Sequence, residues 1–171
     1  MPRRRAVLGL SLALAACAVG PPNASPVPWE PDRYLGTWFE IARLENDFQR
    51  GLELVSAEYT RTADGSIRVQ TRGLESATGQ WREMVARARP MRDPAIASWR
   101  LTYFPSGRGS YHVIRLAEDY AIALVAGGSA SHLWLLARTP SLPAPVVAEW
   151  LAFAQSRGFA VERIIRDPPR P

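Results

Sequence analysis

Eight short segments of alternating polar and apolar residues, separated by turn-forming residues, follow one another in the middle of this chain. In the second of them Val55, Ala57 and Tyr59 fall on one face, and the Asp64-Gly65 pair that follows is a strong signal for a β-hairpin. The predicted strands cover residues 37–43, 54–61, 67–74, 80–89, 97–104, 111–116, 120–126 and 132–138. Such a succession predicts an all-β fold, either an up-and-down barrel or a sandwich.

A single helix is predicted after the last strand. Ser141 can cap its first turn, Pro143 can occupy that turn, and Gly158 suits the position just past its end. Apolar side chains recur between them at helical spacing, at Val146, Val147, Trp150, Leu151 and Ala154. We expect this stripe to pack on the outside of the β-structure, and residues 159–166 to add a short strand.

The N-terminus has the pattern of a targeting signal. Three arginines precede an apolar stretch, residues 6–16, which is too short to span a bilayer. Small residues lead up to Cys17, the only cysteine, in a pattern similar to the bacterial lipobox, whose cysteine is lipidated. The alternative is a plain secretory signal with an incidental cysteine. We therefore predict a signal peptide at residues 1–16, a flexible tether at 17–28 and one domain at 29–171.

Charge and motif content limit the classes of function that the sequence supports. The formal charge of +5 falls to about +2 without the three arginines of the signal, so the sequence gives little support for a nucleic-acid partner. Neither a Gly-x-Ser-x-Gly nor a His-Glu-x-x-His motif is present. His112 and His132 are the only histidines, so a transition-metal site is not expected. We predict a protein that is not an enzyme and uses no cofactor.

Four stretches, in order along the chain, resemble the lipocalin family, and specifically the bacterial outer-membrane lipocalins. They are residues 36–43 (GTWFEIAR), 50–53 (RGLE), 119–125 (DYAIALV) and 133–140 (LWLLARTP). The resemblance implies an eight-stranded antiparallel up-and-down β-barrel with one C-terminal α-helix packed outside it. It places Trp38, two residues after Gly36, at the closed end of the barrel, with Arg138 across the indole ring in a cation–π contact. It also places the first long loop, residues 45–52, over the open mouth.

Alignment with lipocalins predicts which residues line the barrel. The predicted ligand-binding residues are Ala57, Tyr59, Val69, Met84, Ala86, Trp99, Leu101, Tyr103, His112, Ile114, Ala123 and Trp134. Alanines leave room between the strands, whereas the aromatic rings and the methionine provide apolar walls. The alternative is a filled core, because an eight-stranded barrel is narrow enough for side chains alone to fill it.

The resemblance implies a function at the bacterial envelope. We expect a lipoprotein anchored to the outer membrane through Cys17 and facing the periplasm, which binds fatty acids or lysophospholipids for storage, transport or envelope maintenance. A homodimer is left open. Two alternatives remain: an enzyme on the same barrel, with Glu40, Tyr59 or a histidine as catalyst, and an envelope interaction protein with a filled barrel. For Glu40 we expect a buried pair with an arginine rather than acid–base chemistry.

Overall fold

The computed structural model describes residues 25–168, so the predicted signal peptide, Cys17 and most of the tether lie outside the described residues. Nine strands, two helices and a 3₁₀ turn make up this part of the chain. In order they are α1 (Pro31–Tyr34), β1 (Gly36–Leu44), β2 (Leu52–Arg61), β3 (Ile67–Glu75), β4 (Gln80–Pro90), β5 (Ser98–Phe104), β6 (Arg108–Leu116), β7 (Ile122–Ala126), β8 (Leu133–Ala137), α2 (Ala144–Ser156), the 3₁₀ turn (Val161–Arg163) and β9 (Ile164–Arg166).

The first eight strands close into an antiparallel barrel. Each of β2 to β7 pairs with the next strand along the chain, and β1 pairs with both β8 and β2. Gly36 lies opposite Tyr59 in the β1–β2 ladder, and Phe39 lies opposite Ala137 in the β1–β8 ladder. The predicted up-and-down barrel is therefore confirmed, and the sandwich is excluded. The short β9 is a ninth strand, which pairs with the end of β1 beyond the part that pairs with β2.

Helix α2 covers one side of the barrel, as predicted. Its buried stripe packs in a cluster with outward-facing side chains of β1, β6, β7 and β8. Gly158 has a φ of +82°, which suits the residue just past a helix end. The predicted N-cap is wrong. Pro143 rather than Ser141 occupies the N-cap position, and no side chain caps the helix there. The Ser141 carbonyl instead accepts a hydrogen bond from Thr139 Oγ1 at 2.8 Å. Within residues 25–168, no helix is long and apolar enough to cross a membrane.

Aromatic rings fill the closed end of the barrel. The short helix α1, in the segment that leads into β1, places the Tyr34 ring 4.5 Å from that of Trp38 in a stacked arrangement. Trp29 packs against Trp99, with 4.6 Å between the ring centroids. These large side chains limit the empty space at the closed end.

Candidate functional site

A cavity with apolar walls opens at the mouth of the barrel. Eight of the predicted residues line it: Ala57, Tyr59, Val69, Met84, Ala86, Leu101, Tyr103 and Trp134. The volume open to the centre of a water molecule is about 70 Å³, and the empty space between atoms, including the open mouth, is about 630 Å³. A single water needs only ~10–15 Å³ on the first measure, so the barrel is not completely filled.

The other four predicted residues do not line this cavity. Trp99 and Ala123 are buried in the interior cluster of the barrel. His112 and Ile114 correct the prediction, because they face away from the interior. The Nδ1 atom of His112 lies 2.8 Å from Ser98 Oγ, and Ile114 packs in the outer cluster with α2.

The pairing between β5 and β6 explains this correction. Trp99 lies directly opposite Tyr111, and residues opposite each other share a face of the sheet. Tyr111 and Val113 therefore face the interior, where both belong to the same cluster as Trp99.

Arg138 covers the closed end. Its guanidinium carbon lies 4.0 Å from the centroid of the Trp38 ring, which is completely buried. Its Nη1 and Nη2 atoms donate hydrogen bonds to the carbonyl oxygens of Thr37 and Arg33, both at 2.9 Å. Gly36 has a φ of +93°, and a Cβ atom there would lie 3.4 Å from Arg138 Nη1. A side chain at position 36 would therefore be strained and would crowd the guanidinium.

A buried polar network forms one part of the cavity wall. Arg43 Nη1 donates to Glu40 Oε1 at 2.7 Å, and Gln49 Nε2 donates to Glu40 Oε2 at 2.9 Å. Trp134 Nε1 in turn donates to Gln49 Oε1 at 2.7 Å. Burial raises the pKa of Glu40 to about 7, and the nearby Arg43 opposes that shift. Glu40 is therefore paired with an arginine, as expected. Within residues 25–168, it is the one charged residue that lines the cavity.

The first long loop lies over the mouth. Phe48 is 38% exposed, and its ring centroid lies 6.0 Å from those of Tyr103 and Trp134. Asn46 Oδ1 accepts a hydrogen bond from the Gln49 backbone at 3.0 Å, which holds the turn that directs Gln49 toward the network. The lipocalin resemblance implied this position for the loop, but Phe48 and Gln49 were not predicted as lining residues.

Three tyrosines meet at the deep end of the cavity. The Tyr111 hydroxyl lies 2.6 Å from that of Tyr34 and 2.9 Å from that of Tyr59. Burial raises the pKa of all three phenols, so they stay protonated at physiological pH. Tyr34 and Tyr111 were not predicted as site residues. Among residues 25–168, no group of three His, Cys, Asp or Glu side chains could hold a metal ion.

Comparisons with known proteins agree with this architecture. Residues 30–169 match the family model described as a lipocalin-like domain. The chain is 36% identical to the outer membrane lipoprotein Blc of Escherichia coli (strain K12), over 96% of this chain and 94% of the relative. It is also 36% identical to the outer membrane lipoprotein Blc of Vibrio cholerae, over 91% of this chain and 92% of the relative.

Solved structures show the same fold at low sequence identity. Insecticyanin from the tobacco hornworm Manduca sexta superimposes with a TM-score of 0.69 at 15% identity, covering 86% of this chain and 85% of that one. Lobster apocrustacyanin A1 gives a TM-score of 0.67 at 14% identity, covering 88% and 93%. The barrel with its outer helix, the apolar cavity and the family match lead to one conclusion: the chain belongs to the lipocalin family.

Proposed function

We propose that this protein is an outer-membrane-anchored lipocalin that binds single-chain lipids, fatty acids or lysophospholipids, in its barrel for storage, transport or envelope maintenance. The observation that carries the proposal is the cavity: its walls are apolar, it opens at the mouth, and its one charged group, Glu40, is already paired. Lipocalins are binding proteins rather than enzymes, so the paired Glu40 is a structural group. No acid–base role is proposed for it.

The size of the cavity sets a condition on binding. Burying ~14 methylenes would contribute on the order of 11 kcal/mol before ordering costs, so the chain would dominate the affinity. Ligand sites for molecules of that size usually measure ~300–1,000 Å³, well above the 70 Å³ open to water here. A lipid tail therefore enters only if side chains at the mouth move. Phe48 is the most exposed of the rings that line the cavity, and its displacement would widen the cavity.

Ala86→Trp tests the proposal. Ala86 is 3% exposed and lines the cavity, so an indole there would fill the space that a lipid tail needs. Titration with a fluorescent fatty acid should show saturable binding by the wild type and at least a tenfold weaker affinity for the variant. Ala152→Trp, which places the same side chain at an exposed position of α2, is the matched control and should bind as the wild type does. Thermal melting of all three proteins shows whether the barrel still folds.

A filled barrel that acts as an envelope interaction protein is the second candidate, and the small cavity volume favours it. In that case the wild type would show no saturable lipid binding, and Ala86→Trp would overpack the core and lower the melting temperature by several degrees. Loss of binding with folding retained supports the lipid-binding proposal.

The anchor is a separate part of the proposal. Two relatives that cover almost the whole chain are named as outer membrane lipoproteins, and the small residues before Cys17 match the pattern expected of a lipidation site. Labelling with radioactive palmitate and fractionation should place the wild type in the outer membrane, whereas Cys17→Ser should be unlabelled and uncleaved or soluble. An unlabelled, soluble wild type would contradict the anchor without affecting the cavity. The homodimer stays a prediction, for which analytical ultracentrifugation of the delipidated domain is the measurement.

A further inference from the structure

The three tyrosine hydroxyls at the deep end do not satisfy one another. Tyr34, Tyr111 and Tyr59 form a row with two oxygen–oxygen contacts, of 2.6 and 2.9 Å. Each contact uses one hydroxyl proton, whereas three hydroxyls carry three protons. Within residues 25–168 these hydroxyls have no other hydrogen-bond partner, so one O–H donor remains unused.

Which hydroxyl keeps the unused donor depends on the direction, donor to acceptor, of the two hydrogen bonds in the row. If Tyr34 donates to Tyr111, the remaining O–H belongs to Tyr59 or to Tyr111, and both of these residues line the cavity. If the row runs the other way, the remaining O–H belongs to Tyr34, which is 0% exposed and does not line the cavity. A buried donor without an acceptor is costly, so an acceptor in the cavity would favour the directions that leave the O–H on Tyr59 or Tyr111.

We propose that Tyr59 and Tyr111 form a hydrogen-bond-donating subsite at the floor of the cavity, which binds an uncharged carbonyl oxygen at the inner end of a single-chain apolar ligand. Esters, ketones and protonated fatty acids belong to this class. The inference rests on the proposed function, because it requires that the cavity admit such a chain, and it adds the orientation: the carbonyl end lies innermost.

The charges around the subsite favour an uncharged acceptor. The Glu40 carboxylate lines the same cavity, and its charge contributes to the raised pKa of Tyr59. Two arginines near the cavity already have partners: Arg43 pairs with Glu40, and Arg138 lies over the Trp38 ring and donates to backbone carbonyls. At Tyr59 the charge of Glu40 acts more strongly than the opposing charge of Arg138. A carboxylate at the floor would therefore lose its hydration and meet net repulsion, whereas a neutral carbonyl loses less hydration and accepts the unused proton.

The test compares two uncharged probes of equal length, methyl decanoate and the corresponding alkane, by displacement of an uncharged fluorescent dye. A single change in the pair is not enough, because Tyr59→Phe still leaves a donor on Tyr111 and Tyr111→Phe leaves one on Tyr59. The informative variant is therefore the double variant Tyr59→Phe/Tyr111→Phe. Two matched controls carry the same change elsewhere: Tyr34→Phe, which keeps a cavity-facing donor, and Tyr103→Phe, at a cavity-lining tyrosine outside the row.

We expect the ratio of ester to alkane affinity to fall roughly two- to tenfold in the double variant, the range for one net hydrogen bond, and to stay at the wild-type value in both controls. The infrared carbonyl stretch of bound ¹³C-labelled ester should move to higher wavenumber in the double variant, which reports the hydrogen bond independently of stability. If the double variant does not fold, the wild type and the two controls decide, since the inference requires a hydrogen-bonded carbonyl band in all three.

Three results would overturn the inference. The first is an unchanged affinity ratio in the double variant. The second is loss of the ester preference, or of the hydrogen-bonded band, in Tyr103→Phe, which would place the carbonyl at the mouth. The third is a wild-type band without a hydrogen-bond shift. Binding of both probes without such a shift leaves the proposed function intact. Binding of neither probe overturns the inference, and the fluorescent fatty-acid titration then decides the proposed function separately.

Discussion

Removing the Arg138 side chain should destabilise the closed end of the barrel by an amount that can be estimated from its contacts. The guanidinium lies 4.0 Å from the Trp38 ring centroid and donates to two backbone carbonyls at 2.9 Å. A partly desolvated cation–π contact contributes ~1 kcal/mol. Each hydrogen bond adds ~0.5–1.5 kcal/mol net, less where the guanidinium is half-exposed. We expect Arg138→Ala to lower the free energy of unfolding by roughly 1–3 kcal/mol.

The prediction converts directly into a melting temperature. For a domain of this size 1 kcal/mol corresponds to ~3 °C, so Arg138→Ala should melt roughly 3–9 °C below the wild type. Urea unfolding gives the free energy, and differential scanning calorimetry gives the melting temperature. Arg138→Lys keeps the charge but cannot reach both carbonyls with a planar fork, so its loss should be intermediate.

Arg157→Ala is the matched control. The Arg157 guanidinium lies 4.9 Å from the Phe153 ring, at the exposed end of α2, and its side chain donates no hydrogen bond to residues 25–168. Its removal should cost no more than ~0.5 kcal/mol. The reasoning would be refuted if Arg138→Ala unfolded at the same urea concentration as the wild type, or if both arginine variants lost equal stability.

Two further predictions concern Glu40 in the cavity wall and Gly127, which lies against His132. Burial raises the pKa of Glu40 from 4.5 to about 7 in the folded protein, so its protonated form contributes stability that is fully present below pH 4.5 and is lost as the pH rises to about 7. Urea unfolding across this range should show wild-type stability falling relative to Glu40→Gln, and parallel curves would contradict the raised pKa. A Cβ atom at Gly127 would lie 2.7 Å from His132 Cβ, which is too close to be accommodated without a shift, so Gly127→Ala should cost ~2–3 kcal/mol in thermal melts. Gly65→Ala, where the space is open but φ is +78°, should cost only the ~1 kcal/mol of backbone strain. Equal melting temperatures for these two alanine variants would rule out the clash.

The barrel could be predicted because its signals are local. Turn residues such as Asp64-Gly65 and the alternation in β2 and β3 depend on neighbours a few positions away, and the ends of the eight barrel strands differ from the predicted ones by three residues or fewer. The predicted short strand at 159–166 is observed only at Ile164–Arg166. The direction in which β6 faces could not be predicted in this way. Both of its faces are buried, one in the barrel and one under α2, so no polar–apolar alternation distinguishes Tyr111 from His112.

The missed residues depend on contacts between distant parts of the chain. Tyr34 lies before β1 and Tyr111 lies in β6, and nothing in either local sequence indicates that their hydroxyls meet 2.6 Å apart. Gln49 looks like an ordinary polar loop residue until the loop folds over the mouth and brings its amide to Glu40 and Trp134. The predicted face of β5 and its pairing with β6 would together have identified Tyr111 as a lining residue.

The central position of β1 has a consequence for the order of folding. This strand pairs with its neighbour in sequence, β2, but also with β8 and β9, which are the last strands of the chain to be made. Hairpins from β2 to β8 involve short loops and can form early, whereas joining β1 to β8 requires closure of nearly the whole domain into one loop. We therefore expect barrel closure to be the rate-limiting step of folding. Substitutions in β1 at this ladder, such as Phe39→Ala, should then slow the closure step and leave the formation of the β2–β8 meander nearly unchanged.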